Sequence, residues 1–120
     1  MKSQATKTLL ALAIAASLSS QAFASDVSNI SIMQDCVGQD VKSEQTGILN
    51  QSIVNQTSND QAATISQNGV WLESYVTSNG DENDVEVIQT ADWHISNIAL
   101  EGNENLTSVT QDGFFNQSDV

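Results

Sequence analysis

The sequence predicts an all-β protein, a cross-β solenoid in which two strands form each 22-residue coil and about four coils stack. Three observations carry that prediction. The octet QTGILNQS at Gln45 recurs at Gln67 (QNGVWLES), Gln89 (QTADWHIS) and Gln111 (QDGFFNQS), always 22 residues on. Between and within the octets, apolar or small residues alternate with polar ones over short runs, which is the mark of a strand with one face turned inward. Proline is absent from the whole chain, so nothing denies a strand ladder its hydrogen bonds.

Residues 1–24 read as a secretory signal peptide. Lys2 and Lys7 give a basic start, Leu9 to Ala16 an apolar run, and Ala22-Phe23-Ala24 a small-x-small cleavage site. The apolar run is too short to span a bilayer. Residues 25–38 follow as a degenerate half repeat or a flexible leader; Ile30, Ile32 and Gln34 alternate in register with Ser52, Val54 and Gln56 one period later.

The repeat domain covers 39–120, as coils 39–60, 61–82, 83–104 and 105–120. In the first half of each coil the alternating runs are Val41-Ser43-Gln45, Ala63-Ile65-Gln67, Val85-Val87-Gln89 and Thr107-Val109-Gln111. In the second half, runs begin at Asn50, Leu72, His94 and Asn116. The inward parity switches between the halves, so a bend lies there. Gly47, Gly69 and Gly113 sit at that bend, where a residue without Cβ takes a positive φ freely. Asn, Gly, Asp and Glu mark the second turn, as in Asn79-Gly80-Asp81-Glu82.

One such coil is marginal alone, so coils must lean on one another. Stacking places like residues about 4.8 Å apart. Gln45, Gln67, Gln89 and Gln111 then form a structural ladder in which each amide donates to the next, as in other cross-β stacks. Ser52, Ser74, Ser96 and Ser118 make a parallel column, with Asn50, Gln56 and Asn116 as further members of the ladder set. Strand edges at the top and bottom of the stack lack a cap, and a head-to-tail contact that does not close makes a filament.

Charge narrows the partners. The chain carries a net charge of −12, and beyond residue 24 only Lys42 stands against fifteen carboxylates. Such a surface disfavours nucleic acid and anionic lipid. Cys36 is the single cysteine and His94 the single histidine, so neither an intramolecular disulfide nor a Cys-His catalytic pair is expected. The turn Asp81-Glu82-Asn83-Asp84 lacks any calcium-loop pattern. The sequence therefore predicts no catalytic residue, no cofactor and no metal site. Trp71, Trp93 and Phe115 share a column and are expected to stack at the bend and support the register, with an exposed stripe for dye or sugar as the other reading.

The spacing Gln-x-Gly-x-x-Asn-x-small-x-x-x-Gln, complete as Gln45, Gly47, Asn50, Ser52 and Gln56, resembles the curlin repeat of curli fibre subunits, secreted bacterial functional amyloids. The resemblance spans 39–120. It departs from the family where Gln39, Gln61, Asn83 and Asn105 replace an opening Ser, where Ser78 and Leu100 replace the second Gln, and where Ala91 and His94 replace Gly and Asn. The resemblance implies a structural, non-enzymatic subunit of an extracellular fimbrium that serves adhesion and biofilm matrix. It also implies self-association, pairing with other curlin subunits, periplasmic chaperones and an outer-membrane export pore, which residues 25–38 would address. Its alternatives are a minor, nucleating subunit and a monomeric solenoid that binds ice or carbohydrate. The mixed outward column Thr46, Asn68, Thr90 and Asp112 speaks against the last.

Overall fold

A computed structural model describes the backbone of residues 8–14, 19–24 and 28–120, and the side chains of residues 28–120. The strands are β1 (Thr8–Ile14), β2 (Ser19–Ala24), β3 (Asn29–Asp35), β4 (Asp40–Ile48), β5 (Gln51–Thr57), β6 (Ala62–Val70), β7 (Glu73–Asn79), β8 (Asp84–Asp92), β9 (Ile95–Glu101), β10 (Leu106–Phe114) and β11 (Gln117–Asp119). No helix occurs among the described residues, and none is long and apolar enough to cross a membrane. Lys2, Lys7 and the junction after Ala24 in the expected signal peptide lie outside the described residues.

Odd-numbered strands form one sheet in chain order, and even-numbered strands form the other. Every pairing is parallel. This is a β-solenoid whose coils follow one another at 22 residues, as the repeat predicted. The register is the predicted one: Gln45 pairs with Gln67, Gln67 with Gln89, and Gln89 with Gln111. β3 pairs with β5, placing Ile30 beside Ser52, Ile32 beside Val54 and Gln34 beside Gln56. Residues 29–35 thus stand one half-coil before β4, in register with the repeat domain.

The core lies between the sheets. Ile32, Val41, Val54, Ile65, Val76, Val85 and Val87 are each almost wholly covered. Short branched side chains suit two sheets about 10 Å apart, and the Cα envelope is 12 Å in its thinnest dimension.

The backbone shows a finer period than the 22-residue repeat. Positive φ recurs every 11 residues, at Cys36, Gly47, Ser58, Gly69, Gly80, Ala91, Gly102 and Gly113, and again two residues beyond each: Gly38, Leu49, Asp60, Trp71, Glu82, Trp93, Glu104 and Phe115. Bend and turn are therefore the same structure used twice. Each coil is two 11-residue half-coils related by half a turn about the stack axis. Eleven is odd, so the inward face must change parity from one half to the next, which is the switch seen in the sequence.

Candidate functional site

The feature that chemistry can act through is the interior set of amide columns. In the even sheet the Gln column is continuous: Gln45 Nε2 donates to Gln67 Oε1 at 2.6 Å, Gln67 to Gln89 at 2.8 Å, and Gln89 to Gln111 at 2.7 Å. A primary amide has two N–H groups, and the second also finds a partner. It donates to a main-chain carbonyl of the odd sheet: Asn29 O for Gln45, Gln51 O for Gln67, Glu73 O for Gln89 and Ile95 O for Gln111, at 3.0–3.2 Å. Gln45, Gln67 and Gln89 thus tie each rung to the next, and all four glutamines tie one sheet to the other. All four are buried. A buried amide left unpaired costs about 1–3 kcal/mol, so the column is stable only as a column.

The odd sheet carries the matching column at Gln34, Gln56, Ser78 and Leu100. Gln34 Nε2 donates to Gln56 Oε1 at 3.3 Å, and there the ladder stops. Gln56 Nε2 is buried without a hydrogen-bond partner because Ser78 is too short to offer one. The serine column behaves differently from the glutamines. Ser52 accepts from Ser43 across the sheets at 3.2 Å, the hydroxyls of Ser74 and Ser96 have no partner, and Ser118 is only half-buried. These serines serve by their small volume rather than by a hydrogen-bonded ladder.

At the bend, Asn50 Nδ2 donates to Thr46 O (3.0 Å) and Gly69 O (3.1 Å), while Leu72 N–H donates to Asn50 Oδ1 at 3.1 Å. His94 fills the same column and is fully buried. Its Nε2 lies 2.8 Å from Thr90 O and its Nδ1 accepts from Asn116 N–H at 3.2 Å. One ring nitrogen donates and the other accepts, reproducing the asparagine pattern with a neutral imidazole protonated on Nε2. Asn116 in turn donates to Asp112 O. Gly47 has φ 112, and a Cβ there would run into the carbonyl oxygen of Gly69 one coil on. The glycine is thus required twice, by conformation and by the stack.

The second turn holds a column that the sequence reading noted only as a departure from serine. Gln39, Gln61 and Asn83 are buried and Asn105 half-buried. Gln39 donates to Ser58 O at 2.7 Å, Gln61 to Thr57 O at 2.8 Å and to Gly80 O, and Asn105 to Asn83 Oδ1 at 3.0 Å. They do at one edge what Asn50 does at the other, and their 11-residue offset from Asn50 was the available signal.

On the outside of the bend, Trp71 and Trp93 stack with centroids 5.2 Å apart and planes within 2°, and Phe115 follows at 5.7 Å and 27°. Stacked in this way Trp93 has a ring on each face, while Trp71 and Phe115 have one ring neighbour each, an arrangement that accords with support of the register.

These columns fit one known repeat. The curlin associated repeat matches residues 58–90, three consecutive half-coils running from the turn at Ser58 to the threshold of the bend at Ala91. Over those residues the chain is similar to the curlin repeat. No curated protein and no solved structure matches it. The curlin repeat is a structural unit, and the geometry here accords with that. Cys36 lies in the second turn and His94 under the bend of a different coil, so the fold does not bring them together. Among the described residues no three His, Cys, Asp or Glu side chains converge as a metal would require. The phenol of Tyr75 is pushed above its ordinary value, first by burial and then by the charge and hydrogen bond of Glu73, whose Oε2 accepts from it at 3.3 Å.

Proposed function

We propose that the chain is a structural subunit of a curli-type functional amyloid, exported through removal of residues 1–24 and assembled outside the cell by head-to-tail stacking of its coils. The supporting observation is the unbroken ladder from Gln45 to Gln111, set in parallel strands. A ladder of this kind gains a hydrogen bond with every rung added, so it grows by the same contacts that hold one molecule together. Adhesion and biofilm matrix are the roles that follow from such a fibre. Other curlin subunits, periplasmic chaperones and an outer-membrane export pore are its expected partners, and the reading assigns it no catalytic activity.

The test is assembly in vitro. Protein spanning residues 25–120, the form proposed to exist outside the cell, is expected to form fibres after a lag, to bind amyloid dyes and to diffract near 4.8 Å, the strand spacing. Gln45→Ala or Gln111→Ala should lengthen the lag more than Gln51→Ala or Gln117→Ala, whose side chains lie outside the interior column. A chain that stays dispersed, or equal effects of the four substitutions, would overturn the reading. Cross-seeding with a curlin major subunit separates main from nucleating roles.

A further inference from the structure

The outer edge of the bend is a second contact surface, distinct from the stacking interface proposed above but dependent on it. Each bend brings two neighbouring residues to that edge: Ile48 and Leu49, Val70 and Trp71, Asp92 and Trp93, Phe114 and Phe115. All but Asp92 are apolar. Ile48, Trp71 and Trp93 are each close to half exposed and Phe114 more so, and the pairs repeat at the strand spacing of about 4.8 Å. A continuous apolar stripe on a charged exterior marks a contact surface, unlike apolar residues exposed singly.

Charge decides what covers it. The opposite turn carries Asp60, Asp81, Glu82 and Glu104, and exposed positions on the sheets carry Asp40, Glu44, Asp84 and Glu86 on the even one and Asp35 and Glu101 on the odd one. A second copy brought against any of these meets like charge. The bend and the columns beside it hold Asp92, Glu73 and Asp112, and the first two are engaged within the molecule. Asp92 Oδ1 accepts from Val70 N–H at 3.0 Å, and Glu73 Oε2 accepts from the Tyr75 hydroxyl at 3.3 Å. Among the described residues, the bend is thus the flank along which two acidic copies approach without rows of carboxylates facing each other. A second copy also supplies an apolar stripe of the same period, which no lipid surface does.

Shape fixes the orientation. A groove of about 380 Å³ runs beside the rings on the odd-sheet side, lined by Trp71, Trp93, Phe115, Ile95 and Glu73. Ridge and groove lie next to each other, so a two-fold axis parallel to the stack seats each copy's ridge in the other's groove. Turning one copy end over end puts both grooves on the same side and leaves one ridge unseated. We propose that two stacks dock side by side and parallel through their bends, ring ridge into groove. Four bends span about 15 Å, and a strip of that length and about 10 Å wide covers far less than the roughly 800 Å² per partner of a stable interface. Every rung added by stacking lengthens the strip, so docking is weak between single copies and firm between fibres.

Trp71 and Trp93 are the only tryptophans in the chain. Leu49 precedes Trp71 by one coil and Phe115 follows Trp93, so end-on stacking leaves their outer edges as they are, while sideways docking covers them. Fibres of the full chain are expected to be paired in electron micrographs, with tryptophan emission shifted to the blue and acrylamide quenching about threefold below that of the dispersed chain. Ile48→Glu combined with Phe114→Glu should give single fibres whose tryptophans quench as in the dispersed chain. Ile48→Gln with Phe114→Gln poses the same question without added charge, should the first pair hinder assembly. Parent fibres that are single and fully quenched, or protection that survives both pairs of substitutions, would overturn the docking and leave coil stacking intact. Phosphatidylcholine vesicles added to the dispersed chain are expected to leave its emission unchanged; a blue shift there would give the edge to lipid and overturn docking by a second copy. Absence of fibres from the parent chain would sink the stacking reading and, with it, this one.

Discussion

Ala91 occupies a column otherwise filled by Gly47, Gly69 and Gly113, and it takes φ 82. A Cβ in that region crowds the following carbonyl and costs about 1 kcal/mol or more. Ala91→Gly is therefore expected to raise stability by about 1 kcal/mol, seen as a higher guanidinium midpoint, part of the gain being offset by the freer unfolded chain. Gly69→Ala should do the reverse and more, because its Cβ would also meet the carbonyl of Ala91; an unchanged midpoint in both variants would contradict the assignment of strain. The glycine column was legible in the sequence because only one residue type meets that demand without cost. The equally positive φ of Leu49, Trp71, Trp93 and Phe115 was not, since large side chains carry no local mark of a left-handed backbone. Gln56 shows the same limit. Its orphaned amide could not be foreseen from its own type, only from Ser78 one coil further on.

At the scale of the element, the bend exchanges backbone strain for ring stacking. Each left-handed residue there costs about 1–2 kcal/mol, and each aromatic pair returns about 0.5–1.5 kcal/mol. Trp93 has a ring on either side, while Phe115 has one. Trp93→Ala should consequently destabilise by roughly twice as much as Phe115→Ala, read as the shift in the guanidinium midpoint. Equal losses would mean that the rings do not stack in the folded chain. Strands, coil length and register were all readable from the 22-residue repeat, because parallel in-register stacking brings identical residues together and the sequence repeats accordingly. The half-coil was harder to see. Gln45 and Gln56 are equivalent by structure, yet Ser78 and Leu100 interrupt that equivalence in the odd sheet, and the turn column changes from Gln at 39 and 61 to Asn at 83 and 105. Chemical substitution within a column hides a period that the backbone keeps.

At the scale of the molecule, the interior attracts copies and the exterior repels them. Among the described residues Lys42 pairs locally with Glu44 at 3.2 Å, both side chains about half exposed, and beyond residue 24 it is the one cation set against fifteen carboxylates. Stacking subunits brings these charges together at the turn edge. Mobile ions weaken that repulsion over a screening length that falls from roughly 30 Å at 0.01 M salt to about 3 Å at 1 M. The ladder bonds are buried and feel little of this change. Added salt should therefore shorten the lag of fibre assembly steeply over about 0.01–0.5 M sodium chloride, a range in which that length becomes shorter than a subunit's own stack of rungs. Because the effect is screening, sodium, potassium and magnesium salts should superimpose when plotted against ionic strength. A lag indifferent to salt would show that charge does not limit encounter, and an effect saturating at micromolar divalent cation would replace screening with a bound ion at the acidic turns.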